Sequence, residues 1–253
     1  MIHLKYAFLS DTGKVRKNNQ DYVGIFKNKY GVILTIVADG VGGRRGGDVA
    51  SEMAVSHIGQ LFESSRVDNE SKGTNWLKRE INAENRQILK TAESYTDLSG
   101  MGTTIVVAMF IERTVLITNL GDSRCYRYEA DNNSLTQLST DHSLVNEMIQ
   151  RGELTEEEAR IHPQKNIITR SLGISNQIKL DISSFEMNND DQFLLCTDGL
   201  TNQVDDPTLS QVLGDDSLSL EEKCTKLVDM ANAAGGPDNI TALVVKNDQE
   251  EVK

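Results

Sequence analysis

Histidine, cysteine and lysine-plus-arginine are all in short supply here, and each shortage removes a class of chemistry. The four histidines are scattered and no His-Glu-x-x-His occurs, so a histidine-built zinc centre is not expected. The three cysteines, Cys125, Cys196 and Cys224, are odd in number and widely spaced, which is no disulfide framework. Two of them sit inside apolar runs and read as small core residues. None has an arginine six residues on, so the phosphate-binding loop of cysteine phosphatases is missing. No Asp-x-Asp occurs, which removes both an aspartyl-phosphate phosphatase and an EF-hand loop. The glycines of 40–47 are followed by Asp48 where a P-loop needs lysine. No apolar stretch is long enough to span a bilayer, and 1-MIHLKYAFLSDTGK-14 lacks the apolar centre and cleavage site of a signal peptide. The cytoplasm is therefore the expected compartment. Cations are outnumbered, 26 Lys+Arg against 38 Asp+Glu, giving a net charge of −12. Such a chain repels nucleic-acid backbones and anionic lipid, so neither nucleic-acid binding nor membrane insertion is expected. A phosphorylated ligand would need cations supplied locally.

What is present is ordinary globular material: 253 residues, 38% hydrophobic and 25% charged. The first eight residues read as a strand. A polar loop, 10-SDTGKVRKNNQD-21, leads into a hairpin-like pair, 22-YVGIF-26 and 32-VILTIVA-38. From Asp48, read as an N-cap, the apolar period becomes helical through Ala50, Ala54, Ile58, Leu61 and Phe62. A second helix is predicted over about 75–93. Runs at 103–111, 114–120 and 124–130 are spaced for a meander, and a short helix is predicted near 143–150. An acidic turn at 153–159, a strand at 192–198, a helix over about 219–233 and a strand at 239–246 complete the reading. There is no internal repeat and no long linker. Strands in hairpins with grouped helices predict an α+β fold: two antiparallel sheets face to face with helices outside. One domain over 1–247 is expected, with a frayed tail from 248.

The informative feature is where the aspartates fall. Asp39-Gly40, Gly121-Asp122, Asp198-Gly199 and Asp238 in 235-GGPDN-239 each place a carboxylate at the end of an apolar run beside glycine. Glycine permits a sharp turn and the close approach of a ligand. Carboxylates gathered at one sheet edge repel unless a cation sits between them. An all-oxygen donor set favours Mg²⁺ or Mn²⁺ over Zn²⁺, and two such ions can make a shared water nucleophilic. Arg16 is the candidate phosphate ligand, since a guanidinium forks two hydrogen bonds onto a phosphoryl group. Asp21, in the same loop, is placed to orient a metal-bound water. His142 in 140-TDHS-143 reads as structural.

Seven short motifs in fixed order, 16-RKNNQD-21, 38-ADGVGG-43, 100-GMGTT-104, 120-LGDSR-124, 140-TDHS-143, 197-TDGL-200 and 236-GPDN-239, make the chain resemble the metal-dependent type 2C serine/threonine protein phosphatases in their single-domain bacterial form. The resemblance covers nearly the whole chain. It implies a four-layer α-β-β-α sandwich with the metals at one end. It implies that Asp39 bridges two principal Mn²⁺ or Mg²⁺ ions, that the Gly40 carbonyl ligates one, and that Asp198 and Asp238 complete the other. Asp122, sharing Asp198, is implied to hold a weaker third ion. Arg16 would bind the substrate phosphate and Asp21 would hold a metal water. Asn239 and the GMGTT turn are read as supporting residues, and about 143–173 as a flap. Val41 stands where the animal enzymes carry histidine, and Arg44 where many bacterial relatives do, so the resemblance assigns no protein-supplied general acid. The implied activity is hydrolysis of phosphoserine and phosphothreonine monoesters in proteins by a monomer, opposing a bacterial serine/threonine kinase. The alternatives are an inactive binding domain of the same fold, which loss of Asp39, Asp198 or Asp238 would mark, and a small-molecule phosphomonoesterase.

Overall fold

A computed structural model describes residues 3–41 and 46–248. Eleven strands and seven helices follow one another as β1 (Leu4–Asp11), β2 (Asp21–Lys27), β3 (Ile33–Val41), α1 (Gly47–Glu63), α2 (Glu70–Ser94), β4 (Gly102–Thr103), β5 (Ile105–Ile111), β6 (Thr114–Leu120), β7 (Arg124–Glu129), β8 (Ser134–Gln137), α3 (Leu144–Gln150), α4 (Glu156–Ile161), β9 (Ile182–Glu186), β10 (Gln192–Cys196), α5 (Asp198–Thr201), α6 (Asp206–Leu213), α7 (Leu220–Ala233) and β11 (Ile240–Asn247). They form two antiparallel sheets, one in the order β1-β11-β10-β7-β8, the other β2-β3-β5-β6-β9 with β4 added at the end of β3.

Three apolar clusters correspond to the three interfaces of a four-layer sandwich. Side chains alternate across a strand, so β3 sends Leu34, Ile36 and Ala38 to the helix side and Ile33 and Val37 to the sheet side. The first set packs with Ile58 and Phe62 of α1 and Leu77, Ile81 and Ile88 of α2. The second meets Phe193, Leu195, Leu243 and Val245 from the other sheet. On the far side, Leu194, Cys196, Ala242 and Val244 pack beneath α7 through Leu227, Val228 and Ala231. A strand buried on both faces has no polar side, which is why β3, β5, β10 and β11 read as continuous apolar runs. All three cysteines are buried and unpaired.

Several sequence expectations are corrected. The N-cap of α1 is Gly46, in a left-handed conformation, and Asp48 lies in the first turn, where its charge complements the helix dipole. The acidic stretch at 153–159 is not a turn. Thr155 and Glu158 form a reciprocal capping box, which nucleates α4. The meander breaks after β6: the Gly121-Asp122 turn, with Gly121 at φ +102, sends β7 to the other sheet. The apolar run at 192–198 stops being a strand at Cys196, and Asp198 opens the short α5. β8, β9 and α6 were not expected. Asn69 caps α2, which begins at Glu70, ahead of the expected start at 75, so the second helix is longer than predicted. No helix among the described residues is long and apolar enough to cross a membrane.

Candidate active site

Five of the seven residues singled out by sequence are carboxylates, and the topology brings all five to one end of the sandwich. Asp21 and Asp39 are direct cross-strand partners on β2 and β3. Asp122 follows β6, Asp198 follows β10 and Asp238 precedes β11, so each is the first or last residue outside a central strand or nearly so. Like charges opposed across a ladder are unfavourable, and burial makes them more so. Their protonation shows it. Asp21 is pushed up to about 7, first by burial and then, against hydrogen bonds from Thr241 and Thr197, by the charges of Asp198 and Asp238. Asp39 lies well above the usual carboxylate range, through burial first and then the charges of Asp21, Asp198, Asp122 and Asp238. Asp122 is raised to about 7 by burial and by Asp198. Asp198 is raised by burial and Asp238, partly offset by a hydrogen bond with the Asp39 carboxyl.

Hydroxyls and amides fix these groups. Thr197 and Thr241 donate to Asp21 Oδ2 at 2.8 and 2.7 Å. Thr104 Oγ1 accepts from the Asp39 amide at 2.9 Å and contacts Ser123 Oγ at 2.7 Å, while Thr103 Oγ1 donates to the Asp39 carbonyl at 2.9 Å. Asn239 ties the 12–20 loop to the site: its Nδ2 donates to the Thr12 and Asn18 carbonyls, and its Oδ1 accepts from the Gln20 amide. His142 Nδ1 accepts from the Gly121 amide at 3.3 Å, beside Asp122. The reason for glycine after Asp39 is now visible. A Cβ on Gly40 would run into the Gly47 carbonyl at the start of α1, so the strand end and the helix start can meet only without a side chain.

Arg16 reaches the same place but holds Asp238 Oδ2 at 2.8 Å. Its side chain is 52% exposed, so the guanidinium remains open to solvent on its other edge. Val41 is the last residue of β3, whereas Gly42, Gly43 and Arg44 lie outside the described residues. Thr197, Thr241 and Ser123 were missed by the sequence reading. Their signal was available, as hydroxyls inside otherwise apolar strands or beside the Asp motifs.

Three buried carboxylate oxygens, Asp21 Oδ1, Asp122 Oδ1 and Asp198 Oδ1, have no hydrogen-bond partner. Buried acceptors without donors are costly. The donor set is all oxygen and negatively charged, which fits a hard divalent cation. Among the described residues, no three acidic, histidine or cysteine side chains converge as a finished cage. Arg16 holds Asp238 and the two threonines hold Asp21, so the set is a platform that closes only partway on its own. Beside it lies a groove of about 620 Å³, lined by Asp122, Arg124 and Asp198 on the body and by Ile149, Arg160 and Lys165 on the segment carrying α3 and α4.

A helix-flanked double sheet with an acidic platform at one end and an arginine at its rim fits the class of enzymes that act on phosphoryl groups. Comparison with known proteins makes it specific. The family model for protein phosphatase 2C matches residues 14–238. The chain is 43% identical over 240 residues to the serine/threonine phosphatase stp of Listeria welshimeri, covering 94% of each chain. It is 38% identical to protein phosphatase PhpP of Streptococcus pneumoniae, covering 99% of this chain and 100% of that one. The solved serine/threonine phosphatase of S. agalactiae superimposes with a TM-score of 0.91 at 38% identity, covering 96% of this chain and 99% of that one. The chain belongs to the protein phosphatase 2C family and is a serine/threonine protein phosphatase.

Proposed function

We propose that this phosphatase is dependent on divalent metal and removes phosphate from phosphoserine and phosphothreonine in proteins. The observation that carries the metal requirement is the set of three orphaned, buried carboxylate oxygens within one cluster of mutually repelling aspartates. Asp39, facing the charges of all four other aspartates, would hold the principal ions together with the Gly40 carbonyl, Asp198 and Asp238, and Asp122 would help hold a weaker one. Mn²⁺ or Mg²⁺ held there would activate a water for attack and offset the charge of the phosphoryl group. The protein's own residues do the rest. Arg16 leaves Asp238 and forks onto the phosphoryl oxygens. Asp21, gripped by Thr197 and Thr241 through one oxygen, keeps the other free to accept a proton or orient water. The Thr103–Thr104 pair holds the Asp39 backbone so that its carboxylate need not reorganise during turnover. The mechanism assigns no protein side chain as general acid, because Val41 has no proton to give.

Its partners are phosphorylated proteins and the serine/threonine kinase that modifies them, met by a single domain over 1–247 acting as a monomer in the cytoplasm, with the flap over about 143–173. Support for a protein substrate is the open groove beside the platform, which is wider than a phosphate group needs. The deciding measurement is phosphate release from a phosphothreonine peptide, with and without Mn²⁺ and against its phosphotyrosine counterpart. Release that needs Mn²⁺ and prefers phosphothreonine is expected. Release unaffected by exhaustive chelation would overturn the metal reading, and turnover of small phosphoesters alone would overturn the protein one.

A further inference from the structure

Asn85 lies in the middle of α2, far along the chain from every aspartate of the site, and is 1% exposed. A buried asparagine in a helix needs partners for both ends of its amide. It finds them in a loop. Its Oδ1 accepts from the Gly173 amide and its Nδ2 donates to the Ser175 carbonyl, each at 2.8 Å. Gly173 is at φ +82, and a Cβ there would come within 2.5 Å of Ile88 Cγ2, so this backbone lies directly on the helix.

The residue before it begins a ladder that ends at the acidic platform. Leu172 and Thr103 exchange amide–carbonyl hydrogen bonds of 2.9 and 3.1 Å. Thr103 and Gly102 form β4, paired with Gly40 and Val41 at the end of β3. Thr103 Oγ1 also donates to the Asp39 carbonyl. The order across this small ladder is therefore α2, then the 172–175 segment, then β4, then Asp39 and Gly40. The inner rung carries Asp39 and Gly40; the outer rung packs Leu172 into the helix-side core and is hydrogen-bonded to α2 by one side chain, Asn85.

We propose that Asn85 is a positioning residue for the metal platform, acting through Leu172 and β4 to hold Asp39 and Gly40 in register. This rests on the reading of Asp39 and Gly40 as holders of divalent ions. Residues that orient a metal ligand without touching the ion commonly change affinity by about 10–100-fold. Because Asn85 acts through the 172–175 segment and β4, the lower end is expected.

The test is calorimetric titration of Mn²⁺ into the metal-stripped full chain, with melting temperature measured in parallel. Asn85→Ala should weaken Mn²⁺ binding by about tenfold. Asn85→Asp keeps the acceptor for the Gly173 amide and should fall between Asn85→Ala and wild type. Gly173→Ala should weaken binding too, and the double variant Asn85→Ala/Gly173→Ala should be no worse than the poorer single one, since both break the same contact. The control is Glu84→Gln. Glu84 neighbours Asn85 on α2 and is also buried, but it turns to His57 of α1 at 3.0 Å. It should lower the melting temperature and leave Mn²⁺ affinity unchanged. Asn85→Ala binding Mn²⁺ within twofold of wild type, or Glu84→Gln weakening it equally, overturns the proposal. If Asn85→Ala does not fold, Asn85→Asp decides: affinity indistinguishable from wild type overturns it. A wild-type chain that takes up no Mn²⁺ would instead bring down the metal reading itself.

Discussion

At the scale of single residues, the clustered carboxylates proposed to hold the metal weaken the fold. Asp39 faces four negative neighbours in a buried setting. Asp39→Asn removes the charge and keeps the shape. Activity should fall by on the order of 100-fold or more, beyond what loss of a supporting residue costs. The metal-free variant should melt higher at neutral pH, by roughly 2–4 °C if about 1 kcal/mol of repulsion is relieved. Phosphate release and thermal unfolding check the two halves, and near-wild-type turnover in excess Mn²⁺ would refute the bridging role. Arg16 behaves differently. Its ion pair with Asp238 is half exposed, so Arg16→Ala should change stability little. If the guanidinium clamps the phosphate mainly in the ground state, KM should rise more than kcat falls. Steady-state kinetics on a phosphothreonine peptide show which. Asp39, Asp122 and Asp198 were legible in the sequence because each stands where an apolar run ends beside glycine, a pattern with no use in packing. The Arg16–Asp238 pair was not, since the two lie 222 positions apart and neither neighbourhood names the other.

Secondary-structure elements were legible in proportion to how much apolar surface they bury. The central strands β3, β5, β6, β10 and β11 and the helices α1, α2 and α7 announced themselves through period and length. β8 and β9 lie at sheet edges, where one side of the strand needs no cover, and β9 buries none of its five residues fully. α6 carries Pro207 as its second residue and spans eight residues, too few for a helical period to emerge from noise. α4 looked like a turn because its first residues are acidic, yet acidic first turns are what a helix dipole favours. The two-residue β4 is the smallest element and the most exacting. Thr104, just after it, holds the Asp39 amide and Ser123 at once. Thr104→Val is nearly isosteric but leaves a buried N–H unpaired, which costs about 1–3 kcal/mol. The melting temperature should drop accordingly, and Thr104→Ser, which keeps the hydroxyl, should recover most of it. Equal melting of Val and wild-type proteins would mean that the hydroxyl does not hold β3 to β4.

On the scale of the whole molecule, the acidic platform should write its signature on the pH dependence of stability. Asp21 and Asp122 titrate near 7 when folded, against 3.8 for the free side chain. Between those values the folded, metal-free chain holds more protons than the unfolded one, so its stability must fall as pH rises through the window. Asp39, Asp198, Glu84 and Asp191 are raised as well and act in the same direction. The exposed carboxylates held low by nearby donors, such as Asp68, Asp205 and Asp215, contribute the opposite slope, but only below their ordinary value of 3.8, where the experiment does not go. His142 is held below 6.5, first by burial and then by Arg170, and so adds stability as pH rises toward that value. It is one half-exposed group against several carboxylates. The chelated protein should therefore lose melting temperature steadily from pH 5 to 7.5. Divalent ions compete with those same protons, so the stabilisation from a fixed excess of Mn²⁺ should grow over the same interval. Two scanning-calorimetry series, one with chelator and one with Mn²⁺, should diverge as pH rises. Parallel curves would show that the ions bind away from the titrating aspartates, and a chelated protein that gains stability toward neutrality would show that the five carboxylates are not the cluster the fold makes them.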